Sequence, residues 1–592
     1  MAYTSRDMRR FNHLLQETDA VYHDMAQHWG LSDSVMGVLY TLCDAGGRCS
    51  VREVCRLGGM SKQTVNSALR RMEREGLIYL EAAGRGKDVC LTEAGEGLAC
   101  RTALRVIQAE NQVFAAWPQA DVEQYLALTR RFQEALGEKS EGNQGGVMSR
   151  APIQLSDHFT CGRLIRFTLP SITMMIFTAI YGVVDGFFVS NYAGKTPFAA
   201  VNLIIPVLLG LGCVGFMFGT GGGALIAKTM GQGDRERAND IFSMIVYVSA
   251  AIGVVLAGLG FLILRPAAVL MGAEGELLEQ TLIYGRINLI ALPFYVLQYE
   301  FQCLFATAEK PRLGLYITVA AGVTNMALDA LFVAVFSWGA AGAAAATALS
   351  QFIGGSLPLV YFARPNSSLL RLGKCRMDLR ALLKTCSNGS SEFMSNVSMS
   401  LVSMLYNVQL MKYAGEDGVS AYGVLMYVNM IFQAIYIGYS VGTAPIVSFH
   451  YGAGNRGELR GLLRRSGALL AVCAVCMLAA GQVLAAPLSR LYVGYDPGLF
   501  RMTSHAFSIF SFSFLFSGFA IYGSSFFTAL NDGLTSAIIA FLRALVFQVG
   551  AVLLFPLLWR LDGIWMSIVA AEVMAVVATG IFLLAKRKRY GY

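Results

Sequence analysis

Charged residues are scarce in this sequence, since Asp, Glu, Lys and Arg make up only 15% of its 592 residues. Ordinary soluble domains carry about 25% of such residues. The deficit begins after residue 150, and long apolar runs recur from Leu164 to the end of the chain. Several of them exceed the roughly 18 to 20 residues that cross a bilayer as a helix. The composition therefore excludes a wholly soluble protein and predicts a mainly α-helical membrane protein with a small soluble N-terminal domain.

Sequence patterns typical of enzymes are missing as well. The chain has no Gly-x-x-x-x-Gly-Lys-Ser/Thr loop, which argues against transport driven by ATP. The glycine-rich run Gly219–Ala224 lies inside an apolar stretch, where close helix packing explains it better than phosphate binding. The first ten residues are polar and basic, unlike a secretory signal, so we expect the N-terminal domain to stay in the cytoplasm. We expect no enzyme activity, no cofactor and, since cytoplasmic thiols stay reduced, no disulfide framework.

Residues 51–91 predict a helix-turn-helix followed by a β-hairpin wing. One short helix spans Val51–Leu57, and a second helix begins after a Gly-Gly turn and runs to Glu75. Two short alternating strands, Leu77–Glu81 and Asp88–Leu91, flank a basic wing tip. The second helix of such a motif enters the major groove of DNA. The residues predicted to contact DNA are Ser61, Lys62, Gln63, Thr64, Asn66, Arg70, Arg71, Arg85 and Lys87.

The stretches SKQTVNSALRRMEREGLI and LTEAG resemble the MarR family of transcriptional regulators, over residues 10–137. The resemblance implies that the domain binds DNA as a dimer through its terminal helices. Its wing tip reads GRGKD, where the family usually has an Asp-x-Arg pair. The alternative is that the domain senses a ligand, or serves as a structural appendage, and no longer binds DNA.

The rest of the chain predicts twelve membrane spans. We place the MarR-like domain at 1–140, a polar linker at 141–155, and two six-span lobes at 156–375 and 376–592. Most Lys and Arg of the connecting loops fall on one side, which is the positive-inside pattern of a plasma-membrane protein with both termini in the cytoplasm. The predicted spans are 164–190, 199–227, 240–264, 279–307, 313–337, 340–362, 390–413, 420–448, 466–486, 503–529, 534–558 and 562–585.

Short motifs recur at one offset and indicate an internal repeat. The offset is 415 − 194 = 221 residues, and it relates YAG at 192–194 to 413–415, GQGDR at 231–235 to GAGNR at 452–456, and FATA at 305–308 to FFTA at 526–529. Because six spans is an even number, the two halves enter the membrane from the same side. Two such lobes predict a central cleft and alternating access.

Two carboxylates stand inside predicted spans of the first lobe, Asp185 in the first span and Asp329 in the fifth. Charged groups at membrane depth are costly and usually mark an ion or substrate pathway. Asn325 lies one turn before Asp329 on the same helix face, and Thr347 lies at a similar depth in the sixth span. Their oxygens suit Na⁺ or a shared proton. The four residues predict a Na⁺ or H⁺ site, and the alternative is a structural network that ties helices together.

The membrane part also carries a family resemblance. The stretches IYGVVDGFFVSNYAG, GTGGGALIAKTMGQGD, VTNMALDALF and GYSVGTAPIVSFHYGAGN look like the multidrug and toxic compound extrusion (MATE) family, DinF/MepA-like branch, over residues 155–585. The resemblance implies that Asp185, Asn325, Asp329 and Thr347 bind the coupling cation. At the repeat offset the second lobe carries Tyr406, Val546, Gly550 and Ile568 instead, so coupling is expected in the first lobe alone.

Further polar groups in the membrane are weaker candidates. We consider Glu572 with Arg543 as its partner, Glu300 and Tyr406 as additional intramembrane sites, each equally able to hold helices together. Aromatic and methionine side chains are candidates to line the cleft and to suit lipophilic cations, and the alternative for each is packing in the core or against lipid. These are Phe177, Tyr181, Phe187, Met404, Tyr406 and Met426.

Together these patterns predict an antiporter, coupled to Na⁺ or H⁺, that exports drug-like, cationic compounds through the lipid bilayer. The alternative is a membrane-anchored transcriptional regulator whose transporter part is a ligand receptor. A third hypothesis within transport is the flipping of a lipid-linked precursor. Intact Asp185, Asn325 and Asp329 favour transport, because a receptor has no need of an ion site.

Overall fold

The computed structural model describes residues 6–58, 60, 62–83, 86–143, 153–366, 368–494 and 496–592. The chain divides into two compact units, residues 1–150 and 151–592. Each unit is described by itself.

The first unit is a winged helix-turn-helix domain. Its three-stranded antiparallel sheet has the order β1-β3-β2. The elements are α1 (Arg6–His28), α2 (Asp33–Asp44), β1 (Arg48–Ser50), α3 (Val51–Leu57), α4 (Lys62–Arg74), β2 (Ile78–Ala83), β3 (Gly86–Leu91), α5 (Glu93–Arg101), α6 (Ala103–Ala115) and α7 (Gln119–Asn143).

Local side chains fix these elements. Ser50 and Glu53 form a capping box at the start of α3, in which the Ser50 hydroxyl accepts from the Glu53 N–H and the Glu53 carboxylate accepts from the Ser50 N–H, both at 3.2 Å. Val65, Leu69 and Met72 recur at helical spacing along α4, and all three are buried. β1 was not predicted, because three residues are too few to show alternation. The predicted linker start at residue 141 falls inside α7, which continues to Asn143.

Glu110 ties three helices of this domain together. Its carboxylate accepts hydrogen bonds from the hydroxyls of Tyr22 on α1 at 2.6 Å and Tyr40 on α2 at 2.5 Å. The bond to this carboxylate stabilises the neutral phenol and raises the pKa of Tyr22 to about 12. The tyrosines therefore stay protonated, and the contact persists across the physiological pH range.

The described residues of the second unit form a bundle of helices joined by short turns. Short π-helical turns extend or interrupt several helices, at Val189–Ala193, Ala330–Val335 and Leu542–Val546. The helices are α8 (Cys161–Phe188), α9 (Lys195–Gly212), α10 (Val214–Gly231), α11 (Arg235–Leu270), α12 (Gly275–Thr307), α13 (Pro311–Asp329), α14 (Gly339–Ala363), α15 (Leu379–Gly452), α16 (Arg456–Val493), α17 (Pro497–Phe510), α18 (Phe514–Ala529), α19 (Gly533–Phe541) and α20 (Phe547–Tyr590).

Twelve spans follow from these helices. Among the described residues, ten helical stretches are long and apolar enough to cross a bilayer. Two of the ten, Leu379–Gly452 and Gly533–Tyr590, are broken by a residue with positive φ, Gly415 at 63° and Arg560 at 49°. Each of these two supplies a pair of spans. The helices extend past the predicted bounds because capped polar turns continue them, as where Asp378 accepts from the N–H groups of Arg380 and Ala381.

The backbone repeats the pattern seen in the sequence. Positive φ angles recur 221 residues apart, at Gly194 and Gly415 (415 − 194), Gly233 and Gly454 (454 − 233), and Gly339 and Arg560 (560 − 339). Each pair marks a turn between equivalent spans. The two-lobe architecture predicted from the motifs is therefore present.

Glycines bring the two lobes into backbone contact at one end of the bundle. A Cβ on Gly221 of α10 would overlap the carbonyl oxygen of Thr385, and a Cβ on Gly389 of α15 would overlap that of Met217. Only glycine permits two helices to approach this closely. The lobes are thus sealed at the end that holds the loops rich in Lys and Arg, here named the closed end.

The segment before α8 contacts both lobes at the closed end. The Leu155 N–H donates to Glu309 of the first lobe at 2.7 Å, and the Phe159 N–H donates to Glu458 of the second lobe at 3.0 Å. Leu155 and Phe159 are fully buried. The predicted linker extended to residue 155, but Leu155 already packs in the core of the transporter unit because its apolar side chain fits between the helices.

Candidate functional site

The four predicted coupling residues lie in the first lobe on three helices. Asp185 is on α8, Asn325 and Asp329 are on α13, and Thr347 is on α14. The carboxyl groups of Asp185 and Asp329 face each other and interact directly. Asn325 and Asp329 are almost completely buried, whereas Asp185 is partly exposed. The structure therefore brings together two carboxylates that are 144 positions apart in the chain (329 − 185).

Several oxygens of this group lack a protein partner. Among the described residues, nothing hydrogen-bonds to Oδ1 of Asp185, Oδ1 of Asn325, either carboxylate oxygen of Asp329, or Oγ1 of Thr347. Buried polar atoms are usually paired, because an unpaired one costs about 1–3 kcal/mol. A proton shared between the two carboxyl groups would pair at most two of these five atoms, so a network that only ties helices together leaves the other three unpaired. Carboxylate, amide and hydroxyl oxygens are the donor set that a hard cation or a proton prefers.

Irregular helix geometry adjoins both carboxylates. Asp329 is the last residue of α13 before the π-helical turn Ala330–Val335, and Asp185 lies one turn before the π-helical turn Val189–Ala193. The two turns pack against each other. Such turns are frequent at functional sites, since they re-aim side chains within a helix.

One member of the site was missed from the sequence. Tyr284 of α12 is buried next to Thr347 and Asn288, and both Asp185 and Asp329 act on it electrostatically. Tyr284 and Asn288 are one turn apart in a span whose mean hydropathy, 1.3, is among the lowest of the candidate spans. This pair of polar residues was the signal that could have identified it.

The equivalent positions of the second lobe form a different structure. Tyr406 of α15 replaces the aspartate, and its hydroxyl donates to Gln548 at 2.8 Å and lies 2.9 Å from the hydroxyl of Ser567. Its ring stacks on Tyr422 with centroids 5.4 Å apart. Tyr406 therefore joins helices through satisfied hydrogen bonds.

A cavity of about 1410 Å³ lies between the lobes. Most of its lining comes from the second lobe, with α9, α10 and α12 of the first. It reaches Asn202, Met271 and Met411, which are near the helix ends opposite the closed end. Of the six predicted lining residues, Met404, Tyr406 and Met426 line this cavity.

The prediction was wrong for the other three. Phe177 and Tyr181 instead pack inside the first lobe, where their rings contact the backbone of Gly322. The side chain of Phe187 is exposed. The helical period of a sequence does not show whether an aromatic face packs inside its lobe or lines the cavity. The cavity is consequently separate from the carboxylate pair, since neither Asp185 nor Asp329 is among its described lining residues.

Charged side chains of the second lobe meet at the cavity wall. Arg543 and Glu572 form a bidentate ion pair with both N···O distances at 2.9 Å, which is the pairing proposed from the sequence. Half-buried Glu392 also lines the cavity, where it interacts with Arg543 at longer range. Two carboxyl groups and one guanidinium line this wall, so one carboxyl group has no salt-bridge partner among the described residues.

Glu300 lies apart from both groups. It is fully buried between α11 and α12, where the Ser249 hydroxyl donates to its carboxylate. Its helix ends at Thr307, where the predicted span 279–307 also ended, so Glu300 lies about two turns before that end. Glu300 is not among the described residues lining the large cavity.

The predicted DNA-contacting residues are only partly described. Thr64, Asn66, Arg70 and Arg71 are exposed on α4, and Arg71 is paired with Glu75 at 2.9 Å. Ser61 and Arg85 lie outside the described residues, as do the side chains of Lys62, Gln63 and Lys87. One exposed face of α4 is thus polar and basic, as a groove-binding helix requires.

Comparison with known proteins identifies the membrane unit. The MatE family model matches residues 170–331 and 393–554, which is more than half of the chain and reproduces the two halves of the repeat. The chain belongs to the MatE family. A MarR family model matches residues 29–87, so this MatE transporter carries a MarR-like domain at its N-terminus.

Named relatives and solved structures agree with this assignment. The Multidrug export protein MepA of Staphylococcus haemolyticus is 23% identical over 421 residues, covering 70% of this chain and 91% of the relative. MepA of Staphylococcus saprophyticus is 22% identical, covering 72% and 94%. A multidrug resistance MATE family transporter in an outward-facing conformation superposes with a TM-score of 0.71 at 21% identity, covering 75% of this chain and 99% of that one. The MatE chain is thus a multi-pass membrane transporter.

Proposed function

We propose that this protein is a secondary antiporter that exports drug-like cations in exchange for Na⁺ or H⁺. The single observation that carries the proposal is the group of unpartnered oxygens around Asp185 and Asp329 in the first lobe. It lies beside, and not within, a cavity large enough for a drug-sized ligand, since such sites measure about 300–1,000 Å³. The relatives named multidrug export proteins support the same activity.

The separation of the two sites defines how coupling works. The substrate occupies the cavity between the lobes, and the cation or proton binds between α8, α13 and α14. Binding there replaces the mutual repulsion of Asp185 and Asp329 with an attraction and shifts α8 against α13. Because α8 also packs against α15, its movement changes the shape of the cavity wall.

The chemistry of the cavity indicates its substrates. Flexible, polarisable methionines adapt to ligands of different shape, and six of the described lining residues are methionines (Met271, Met399, Met404, Met411, Met426 and Met430). Glu392 has no salt-bridge partner among the described residues, so a positively charged ligand would pair with its carboxylate. A large adaptable surface with one weak charge preference suits varied lipophilic cations.

Vesicles that contain the purified full-length protein test this function. An imposed Na⁺ gradient or an imposed pH gradient is expected to drive ethidium transport in the antiport direction, and equal ion concentrations on both sides are expected to drive none. The gradient that drives dye transport identifies the coupling ion. Correctly inserted protein that moves no dye under either gradient contradicts antiport and favours the receptor hypothesis.

The same vesicles test the charge preference. Glu392→Gln is expected to raise the KM for ethidium roughly tenfold, since loss of a partly screened charge interaction costs about 1.4 kcal/mol. The KM for a neutral dye of similar size serves as the control and should not change. An equal rise for both dyes would mean that Glu392 shapes the cavity without selecting charge.

We also propose that the N-terminal domain binds DNA. The polar, basic face of α4 carries this second function, and the exposed apolar residues of α1 and α7, such as Leu14 and Leu126, fit a dimer of this domain. Domain and transporter then form one membrane-anchored regulator of the efflux system.

Titration of the full-length protein with duplex DNA fragments at increasing salt tests this. We expect affinity to fall steeply with salt, and Arg70→Gln to reduce the slope of log K against log salt by about 0.9, one phosphate contact. Arg101→Gln on α5 is the matched control and should leave the slope unchanged. No binding at low salt would identify the domain as a ligand sensor or an appendage.

A further inference from the structure

A second cavity, of about 250 Å³, lies at the closed end of the transporter unit. It is formed by α10 and α11 of the first lobe and α15 of the second. Four of its lining residues are basic: Lys228, Arg237, Arg380 and Lys384. Two of these cations come from each lobe, so the cavity bridges the lobes at the end where they meet.

The positive charge of this cavity is poorly compensated. The Lys228 ammonium lies over the ring of Tyr451 at 5.3 Å, and the Lys384 ammonium donates to the carbonyl oxygen of Asn531 at 2.7 Å. Both partners fix the position of a cation without cancelling its charge. The two ammonium groups also act on each other as like charges.

One carboxylate approaches the cluster. Arg237 lies 3.5 Å from Asp378, and no other described acidic residue is within salt-bridge distance of the four cations. Four positive charges and one negative charge leave an excess of three (4 − 1). Because Lys228 is half-buried, solvent screens this excess less than it screens a surface cluster.

Other basic residues at the same end are neutralised. Arg465 pairs with Glu458 at 2.9 Å, and Lys586 pairs with Asp532 at 3.0 Å. The positive-inside pattern therefore does not by itself require uncompensated cations in a cavity. Holding like charges together opposes folding, unless a ligand brings negative charge to them.

We propose that this cavity binds a phosphate group. A phosphate presents several acceptor oxygens and more than one negative charge, which matches converging ammonium and guanidinium donors. Basic pockets between membrane helices on the cytoplasmic side are suited to the head groups of anionic lipids. The same chemistry also fits a soluble phosphate compound from the cytoplasm. By contacting both lobes, the bound phosphate stabilises the arrangement in which this end is closed.

Thermal unfolding of the purified full-length protein in neutral detergent tests the proposal. Phosphatidylglycerol, phosphatidylcholine and inorganic pyrophosphate are titrated separately, and the concentration that gives half of the maximal rise in Tm is measured. We expect phosphatidylglycerol or pyrophosphate to raise Tm and phosphatidylcholine to have no effect. A response to phosphatidylglycerol alone identifies a lipid head group, and a response to pyrophosphate alone identifies a soluble ligand.

Two variants locate the site. Arg380→Gln is expected to weaken the response about fivefold, since one Lys or Arg near a charged group contributes about 1 kcal/mol. Arg376→Gln removes an exposed charge of the same kind that is not among the described lining residues, and should leave the response unchanged. Arg380 is exposed, so its replacement is compatible with folding. Equal responses of the two variants, or no rise with either phosphate compound, would overturn the proposal.

Discussion

Asp329→Asn is expected to abolish gradient-driven transport, reducing dye movement to that of vesicles without protein. Asparagine has nearly the same shape but carries no charge and cannot take up and release a proton. The Asp185–Asp329 pair would lose the change of charge on which its coupling depends. Dye transport under the gradient that drives the wild-type protein is the measurement.

The stability of this variant separates a functional defect from a folding defect. Both oxygens of Asp329 are buried without a partner, next to the carboxyl group of Asp185. Removing one of two facing acidic groups should leave Tm unchanged or raise it, because two buried carboxylates repel each other. Functional sites often contain such destabilising arrangements. A large fall in Tm would instead assign Asp329 to the structural network.

Asp417→Asn provides the matched control. Asp417 lies in the exposed turn between the two spans of α15, close to Gly415. The same chemical change there should affect neither transport nor Tm. If Asp329→Asn transports dye as well as Asp417→Asn does, coupling does not depend on the first-lobe carboxylates. Glu572 of the second lobe would then be the candidate coupling residue.

The bilayer explains why so much of the fold was predictable. A span must pair all its backbone groups internally, so each apolar run becomes a continuous helix, and turns at Gly194 and Gly415 end equivalent spans. Asp185 and Asp329 could be predicted for a related reason, because carboxylates are rare at membrane depth. Sequence spacing also placed Thr347 on the helix that faces Tyr284.

Features that depend on how helices face one another were not predictable to the same degree. Tyr284 belongs to a residue type that is common in spans as a packing group, so only its spacing of one turn from Asn288 could have singled it out. Phe177 and Tyr181 have the spacing of a cleft face, yet they pack against Gly322, whose missing side chain admits them. The three-residue strand β1 exists only because Arg48–Ser50 pairs with the end of β3.

Arg543→Met is expected to lower stability strongly, by about 3 kcal/mol. Glu572 has only 6% of its side chain exposed, and Arg543 supplies both of its 2.9 Å contacts. Removing one partner of a buried ion pair leaves an uncompensated charge, and such losses are about 3–5 kcal/mol. The fall in Tm of the purified variant is the measurement.

A double variant reveals the role of this pair. Arg543→Met with Glu572→Gln removes both charges and should recover most of the lost stability, because buried pairs replaced together are often neutral. His505→Gln, which breaks the exposed pair with Asp562, should change Tm very little. A stable double variant that still transports dye would make the pair a structural brace between helices. A stable double variant that has lost gradient-driven transport would show that the second lobe also takes part in coupling, although it lacks the aspartates of the first.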